Sequence, residues 1–197
     1  MSRSLTVWQN TGSAPLRWVR PGKRAHVSLY ASHAEVRSRM IGELHEWWQV
    51  HRNGDIPDRS RLDPVDFTHL LPSILLSEIV HQPFRVRFRL VGTKVVEAMG
   101  LDITGQFIDE LISPEREPWL EHYRLSYRAQ APVFGTTSLI STMGARFPYE
   151  FGIFPLRRGK VSIEQFVAIA DYFGFSSSSD ELVAWRHRGA TQGFSRI

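Results

Sequence analysis

Apolar and arginine residues alternate strictly along residues 84–90, within the apolar and basic run 84–91. The run reads Phe84, Arg85, Val86, Arg87, Phe88, Arg89, Leu90 and Val91. A period of two places the apolar side chains on one face of a strand and the arginines on the other, so we predict a half-buried strand. Residues 73–81 have the composition of a second strand, and Pro83 marks a turn between them. Together the two stretches predict an antiparallel hairpin.

Residues 33–52 show a helical period instead. The apolar positions that share one stripe are Val36, Met40, Leu44, Trp47 and Trp48. This spacing predicts an amphipathic helix, which the Asn53-Gly54 turn pair would end. A stripe this rich in tryptophan has to be covered by another surface.

Further signals divide the rest of the chain into short helices and three strands. Asp63-Pro64 predicts the start of a short helix that stops before Pro72, because aspartate caps helices and proline fits their first turn. The sequence predicts helices at 94–99, 107–112 and 113–130, and strands at 132–142, 146–156 and 163–173. This order predicts an α+β fold, with a five-stranded antiparallel sheet, helices on one face and an N-terminal helix in front. Such a fold encloses a space between helices and sheet.

The positive charge is concentrated at the two ends of the chain. The 197 residues carry a net charge of +4, from 24 basic and 20 acidic side chains. Residues 1–40 contribute +6 (seven basic, one acidic) and residues 181–197 contribute +2 (three basic, one acidic), which leaves −4 for the middle. Nucleic-acid-binding domains carry basic residues on their folded surface, so this distribution argues against nucleic acid as the partner. Nonspecific binding of nucleic acid through the basic termini remains an alternative.

The composition excludes several classes of chemistry. The sequence contains no cysteine, which excludes disulfides, cysteine zinc sites, iron–sulfur clusters and a cysteinyl–flavin adduct. No stretch approaches 18 consecutive apolar residues, so we expect no membrane-spanning helix and a cytoplasmic location. His45-Glu46 lacks the second histidine of the zinc-protease motif, since Gln49 stands in its place. We therefore predict neither a metal site nor catalytic residues.

A set of short motifs is spread over residues 33–173. They are Trp47-Trp48, Arg52, Gly54, Pro57, Leu62-Asp63-Pro64, Leu70-Leu71-Pro72, the stretch 87–93 and the stretch 97–105. In this order they resemble the PAS domain, and more closely a bacterial family of small stand-alone PAS-like proteins of poorly known function. Together with charge and composition, the resemblance divides the chain into four predicted regions: a basic flexible leader at 1–32, a flanking helix at 33–54, a PAS-like domain at 55–175 and a polar, basic tail at 176–197. The leader and the tail lie outside the resemblance.

The resemblance further implies a non-catalytic sensory or interaction module. Such a module binds a small ligand or a protein partner and passes its signal to another protein, while the sequence leaves any cofactor unknown. In PAS-like proteins a helix before the core packs on the outer face of the sheet or across a dimer. We therefore expect a homodimer whose interface includes Val36, Met40, Leu44, Trp47 and Trp48.

The enclosed space is the expected ligand site. Its predicted lining comprises Phe88, Leu90, Phe107, Trp119, Tyr123, Leu139, Phe151 and Gln165. These side chains either fill the core completely or line a cavity with Tyr123 and Gln165 as polar contacts, and both interpretations stay open. His122 is a residue to test, because some PAS domains bind haem through a histidine, although an ordinary hydrogen-bonded histidine is the simpler interpretation.

Two further hypotheses concern charged residues. A small α+β enzyme of isomerase or hydratase type would need a buried pair of aspartate or histidine side chains with perturbed pKa values, and the sequence offers no convincing pair. The arginines at 85, 87 and 89 form either a solvated face or a contact with an acidic partner or with the flanking helix of the chain itself.

Overall fold

The described chain forms an antiparallel sheet of six strands with helices on both faces. A computed structural model describes residues 27–52, 54–111, 113, 115–140, 146–159 and 162–172. The elements are β1 (Ser28–Leu29), α1 (Arg39–His51), β2 (Ile74–His81), β3 (Phe84–Val91), α2 (Thr93–Met99), α3 (Arg116–Ala129), β4 (Val133–Ile140), β5 (Arg146–Arg157) and β6 (Ile163–Tyr172). The strand order is β1-β4-β5-β6-β2-β3, and all neighbours are antiparallel. The predicted α+β class and antiparallel sheet are confirmed.

The sheet has one strand more than the five predicted. The additional strand, β1, pairs Ser28 with Thr136 of β4, and the next residue, Tyr30, donates its backbone N–H to the Phe134 carbonyl at 3.0 Å. Sequence patterning missed β1 because two exposed residues carry no periodicity. The rest of the predicted leader (1–26) and the predicted tail (176–197) lie outside the described residues, and the domain boundaries stay predictions.

Three predicted helices are shorter or tighter than expected, and one of them, 107–112, is a single 3-10 turn at Ile108–Glu110. The predicted helix 33–52 is divided into a single 3-10 turn at His33–Glu35 and α1, because Ser38 adopts an extended backbone and caps α1 with its hydroxyl. The predicted helix 64–71 is a 3-10 helix at Pro64–Phe67, followed by a second 3-10 turn at Leu71–Ser73.

Helix α1 covers the face of the sheet that lies opposite α2 and α3. The indole of Trp48 donates to the Pro155 carbonyl of β5 at 2.9 Å. Ile41 packs so closely on the same strand that a Cβ at Gly152 would lie 3.0 Å from it. We call this the outer face and the opposite one the inner face.

The predicted interface stripe is therefore not an exposed surface. Leu44, Trp47 and Trp48 are buried within their own chain, where Trp48 hydrogen-bonds to β5 and Trp47 packs on Phe67, and Val36 and Met40 are half-buried against the same core. Of the two placements expected for this helix, the structure shows packing on the outer face of its own sheet. The part of these residues in a dimer interface stays a prediction.

One buried carboxylate fastens the N-terminal segment to the sheet. Glu150 of β5 is completely buried. It accepts hydrogen bonds from the Tyr30 hydroxyl at 2.6 Å, from the Ser38 N–H at 2.6 Å and from the Arg37 N–H at 3.2 Å. Burial and the hydrogen bond to Glu150 raise the pKa of Tyr30 to about 12. The carboxylate thus supplements the cap of α1 from a neighbouring strand.

The arginines of β3 contact the chain itself. Arg85 pairs with Asp109 at 2.8 Å and Glu110 at 2.6 Å, and Arg87 donates to the Gly105 carbonyl at 2.9 Å. Arg89 lies 3.6 Å from Glu78 on β2. The arginine stripe therefore holds the segment 105–110 along the edge of the sheet, where an uncovered strand would invite unwanted pairing.

We predict that Glu150→Gln lowers the free energy of unfolding by about 2–4 kcal/mol, because an amide replaces a buried acceptor of charge-assisted hydrogen bonds. The control Tyr30→Phe removes a single donor and should cost about 1 kcal/mol. Urea unfolding monitored by tryptophan fluorescence measures both values. Equal stability of Glu150→Gln and the parent would contradict this role of Glu150.

Candidate functional site

A cavity of about 60 Å³ lies between the inner face of the sheet and the helices α2 and α3. Its lining comprises Leu75, Phe88, Val95, Met99, Ile103, Trp119, His122, Tyr123, Leu139, Tyr149, Phe151, Ile153, Ala168, Ile169, Ala170 and Tyr172. Strands β2 to β6, both helices and the loop after α2 all contribute. The cavity therefore depends on the complete tertiary fold.

Five of the eight predicted pocket residues line this cavity. They are Phe88, Trp119, Tyr123, Leu139 and Phe151. The other three, Leu90, Phe107 and Gln165, do not line it. That a ligand binds among the five stays a prediction.

Leu90 is displaced by a bulge in the hairpin. Leu76 pairs with Leu90 but the next residue, Ser77, pairs with Phe88, so one residue of β3 has no partner. An extra residue reverses which face the following side chains occupy. Leu90 is consequently 43% exposed, whereas Val91 packs against the core. The strict alternation in the sequence does not reveal this shift.

Gln165 and Phe107 are also placed outside the cavity by their neighbours. Gln165 pairs with Leu156 on β5, and both belong to the alternate set of positions that faces away from the inner side. Phe107 lies beyond the edge strand, where it bridges to Arg87 and its ring stacks under the guanidinium of Arg85 at 3.8 Å. Composition alone could not distinguish either residue from a pocket aromatic or polar contact.

Eleven of the sixteen lining residues are not among the eight predicted from the sequence. Tyr149 and Ile153 alternate with Phe151, so the period-two pattern of β5 could have found them. Ala168 and Ala170 lie on β6, which is apolar on both faces and so gives no alternation to interpret.

His122 presents a neutral imidazole to the cavity. The side chain is only 6% exposed, and its ring stacks on Phe151 with centroids 4.9 Å apart. Burial lowers the pKa of His122 to about 4. Among the described residues it has no hydrogen-bond partner, so one or both ring nitrogens are available to a cavity occupant.

The other polar groups of the cavity are neutral as well. Burial raises the pKa of Tyr123, Tyr149 and Tyr172 far above their ordinary value. The indole N–H of Trp119 lies near the Tyr149 hydroxyl, yet it meets no acceptor at hydrogen-bond geometry among the described residues. No aspartate, glutamate, lysine or arginine is among the described lining residues.

The dimensions of the cavity limit what it can hold. A cavity of about 150 Å³ holds benzene, so a cavity of about 60 Å³ suits a smaller molecule. A haem or a flavin does not fit beside His122 unless surrounding side chains move. Within the described residues, no three histidine, aspartate or glutamate side chains come together as a metal site. No described helix is both long enough and apolar enough to cross a membrane.

We predict that His122 makes the fold sensitive to acid. Its pKa is lower in the folded chain than the ordinary 6.5, so the unfolded chain binds more protons, and stability falls as the pH drops from about 6.5 to about 4. Between about pH 7 and pH 4.5, the parent should lose about 2 kcal/mol more than His122→Leu. Burial also lowers the pKa of His45 to about 4. Because His45 is present in both proteins, its contribution cancels in the difference between their stabilities. Parallel pH profiles from urea unfolding would contradict this effect of burial.

Several solved structures are similar to this chain at low identity. A ligand–DNA complex of VqmA from Vibrio cholerae shares 16% identity at a TM-score of 0.46, covering 68% of this chain and 58% of that one. A LOV protein from Rhodobacter sphaeroides shares 15% identity at a TM-score of 0.43, covering 67% and 80%. The chain thus spans a little over half the length of VqmA. None of the curated proteins matches it.

A family model described as a PAS domain matches residues 36–167, which are 132 of the 197 residues. The match runs from the approach to α1 into the middle of β6 and so includes most of the cavity lining. The resemblance carried by the sequence motifs is thereby confirmed, and the chain belongs to the PAS-domain family.

Proposed function

We propose that the protein is a non-catalytic, cytoplasmic sensory module that binds a small uncharged molecule in its inner cavity and signals to a protein partner. Membership of the PAS-domain family supports the sensory role. The observation that carries the proposal is the aromatic cavity between sheet and helices, at which the indole nitrogen of Trp119 is buried without a partner.

The lining favours an uncharged ligand. A charge moved from water into an apolar interior loses its solvation, and only a paired opposite charge offsets that loss. The described lining carries no such charge, and its histidine is neutral near pH 7. It also lacks a carboxylate with which His122 could form an acid–base pair, which supports a binding role over the isomerase or hydratase alternative.

Strand β5 offers a physical route from the cavity to the outer face. Tyr149 and Phe151 line the cavity, while Glu150 between them holds the residues that precede α1. A ligand that displaces either aromatic side chain also moves the backbone that carries Glu150. The N-terminal segment and α1 are therefore the proposed output elements.

We predict that Ala170→Leu abolishes ligand binding without unfolding the protein, because Ala170 lies opposite Phe151 on the inner face and three added carbon atoms would fill the cavity. The parent, purified from its native host, should release a stoichiometric small molecule in native mass spectrometry, and the variant should not. The matched control is Ala129→Leu at the exposed end of α3. Equal retention by all three proteins, or no such molecule from the parent, would contradict the proposal.

Homodimerisation is part of the proposal. Because α1 is buried on its own sheet, a dimer requires either another surface or exchange of the N-terminal segment between copies. We expect a dimer in sedimentation velocity, and we expect removal of residues 1–54 to give monomers or aggregates because the outer face loses its cover. A truncated protein that stays soluble with an unchanged oligomeric order would exclude the N-terminal region as the basis of association.

A further inference from the structure

Two polar side chains of α3 reach the cavity without a hydrogen-bond partner. Trp119 and His122 both line the cavity, and residues three apart share one face of a helix. The indole nitrogen of Trp119 is buried without a partner, and no described residue hydrogen-bonds to His122. Nearly all buried polar groups in proteins are satisfied, so the buried, unpartnered nitrogen of Trp119 indicates a missing partner, and the unbonded ring of His122 on the same helix face offers that partner a second contact.

The polar side chains of the described lining include one that can only donate, the indole of Trp119, and no nitrogen or oxygen that can only accept. An indole N–H can only donate, and the hydroxyl groups of Tyr123 and Tyr149 remain protonated because burial raises their pKa. A neutral imidazole adds one further donor and one acceptor. Since no carboxylate is among the described lining residues, an occupant that supplies an acceptor satisfies more of these groups than one that supplies a donor.

We propose that the ligand is a small uncharged molecule carrying an acceptor of the carbonyl or ring-nitrogen type, and that Trp119 and His122 bind this acceptor together. The inference rests on the proposed function, because it names the chemistry recognised at the same cavity. Trp119 supplies the obligatory donor, and His122, held in place by its stacking on Phe151, supplies the second contact. The apolar remainder of the lining sets the size of the ligand.

A pair of probes of equal size and shape tests the proposal. Acetone carries the acceptor, whereas 2-methylpropene replaces its oxygen with a methylene group. Titration of each probe is followed by NMR through the methyl groups of Leu139 and Ile153 and through the indole N–H of Trp119, which is assigned by its loss in Trp119→Phe. We expect acetone, but not 2-methylpropene, to shift this indole proton downfield in the parent.

The decisive quantity is the ratio of acetone affinity to 2-methylpropene affinity. Trp119→Phe should lower this ratio about two- to tenfold, the effect of one net hydrogen bond. His122→Leu should also lower this affinity ratio. This second variant still tests the proposal if Trp119→Phe does not fold. Trp47→Phe is the matched control, because Trp47 also has a buried, unpartnered indole nitrogen but lies on α1 at the outer face.

The outcomes separate this inference from the proposed function. A lowered ratio in both cavity variants with an unchanged ratio in Trp47→Phe supports the acceptor site. Binding of both probes with a ratio that no variant changes overturns the inference alone, since the cavity still takes up small molecules. Failure of the cavity to take up either probe overturns the inference and also contradicts the proposed binding site.

Discussion

The burial of β5 on both of its faces is the constraint on which the rest of the structure depends. Tyr149, Phe151 and Ile153 face inward and form one wall of the cavity, while Glu150 faces the segment that leads into α1, and Gly152 and Phe154 face α1 itself. Alternate side chains of one strand therefore belong to two different layers. Because a strand cannot shift on one face without shifting on the other, the packing of α1 and the shape of the cavity are mechanically linked.

The outer side of the sheet buries a charged side chain, whereas the cavity on the inner side is lined by neutral ones. The outer layer buries a carboxylate, Glu150, and stabilises it with two backbone N–H groups and a tyrosine hydroxyl rather than with a cation. The polar side chains that line the cavity stay neutral, because desolvation lowers the pKa of His122 and raises that of the tyrosines. A buried charge is stable where several donors meet it, and a cavity whose described lining carries no countercharge selects neutral occupants. One small domain thus has an N-terminal segment that is attached through Glu150 and an interior that is suited to uncharged molecules.

The edges of the sheet are closed by the chain itself. On one side the two residues of β1 pair with β4, and on the other the backbone of Gly105 and Gln106 exchanges hydrogen bonds with Phe88. The arginines of β3 reinforce the second closure through Asp109, Glu110 and the Gly105 carbonyl. Exposed ion pairs of this kind contribute little stability individually. Their effect is to hold the segment 105–110 in register along the edge of the sheet. Ile103, just before this segment, lines the cavity.

The sequence by itself determined the class of fold, the order of the elements from α1 to β6, the PAS-type motifs and the five pocket residues that point inward. These features follow from local periodicity and from turn residues, which act over a few neighbouring positions. Only the tertiary structure decided that a bulge turns Leu90 outward, that Gln165 lies on the opposite face of β6 and that the tryptophan stripe of α1 is covered by its own sheet. The physical reason is that contacts between segments far apart in the chain set the register of a strand and decide which surface covers a helix. A periodic pattern indicates that one face of an element is buried, but it does not identify the element that packs against that face.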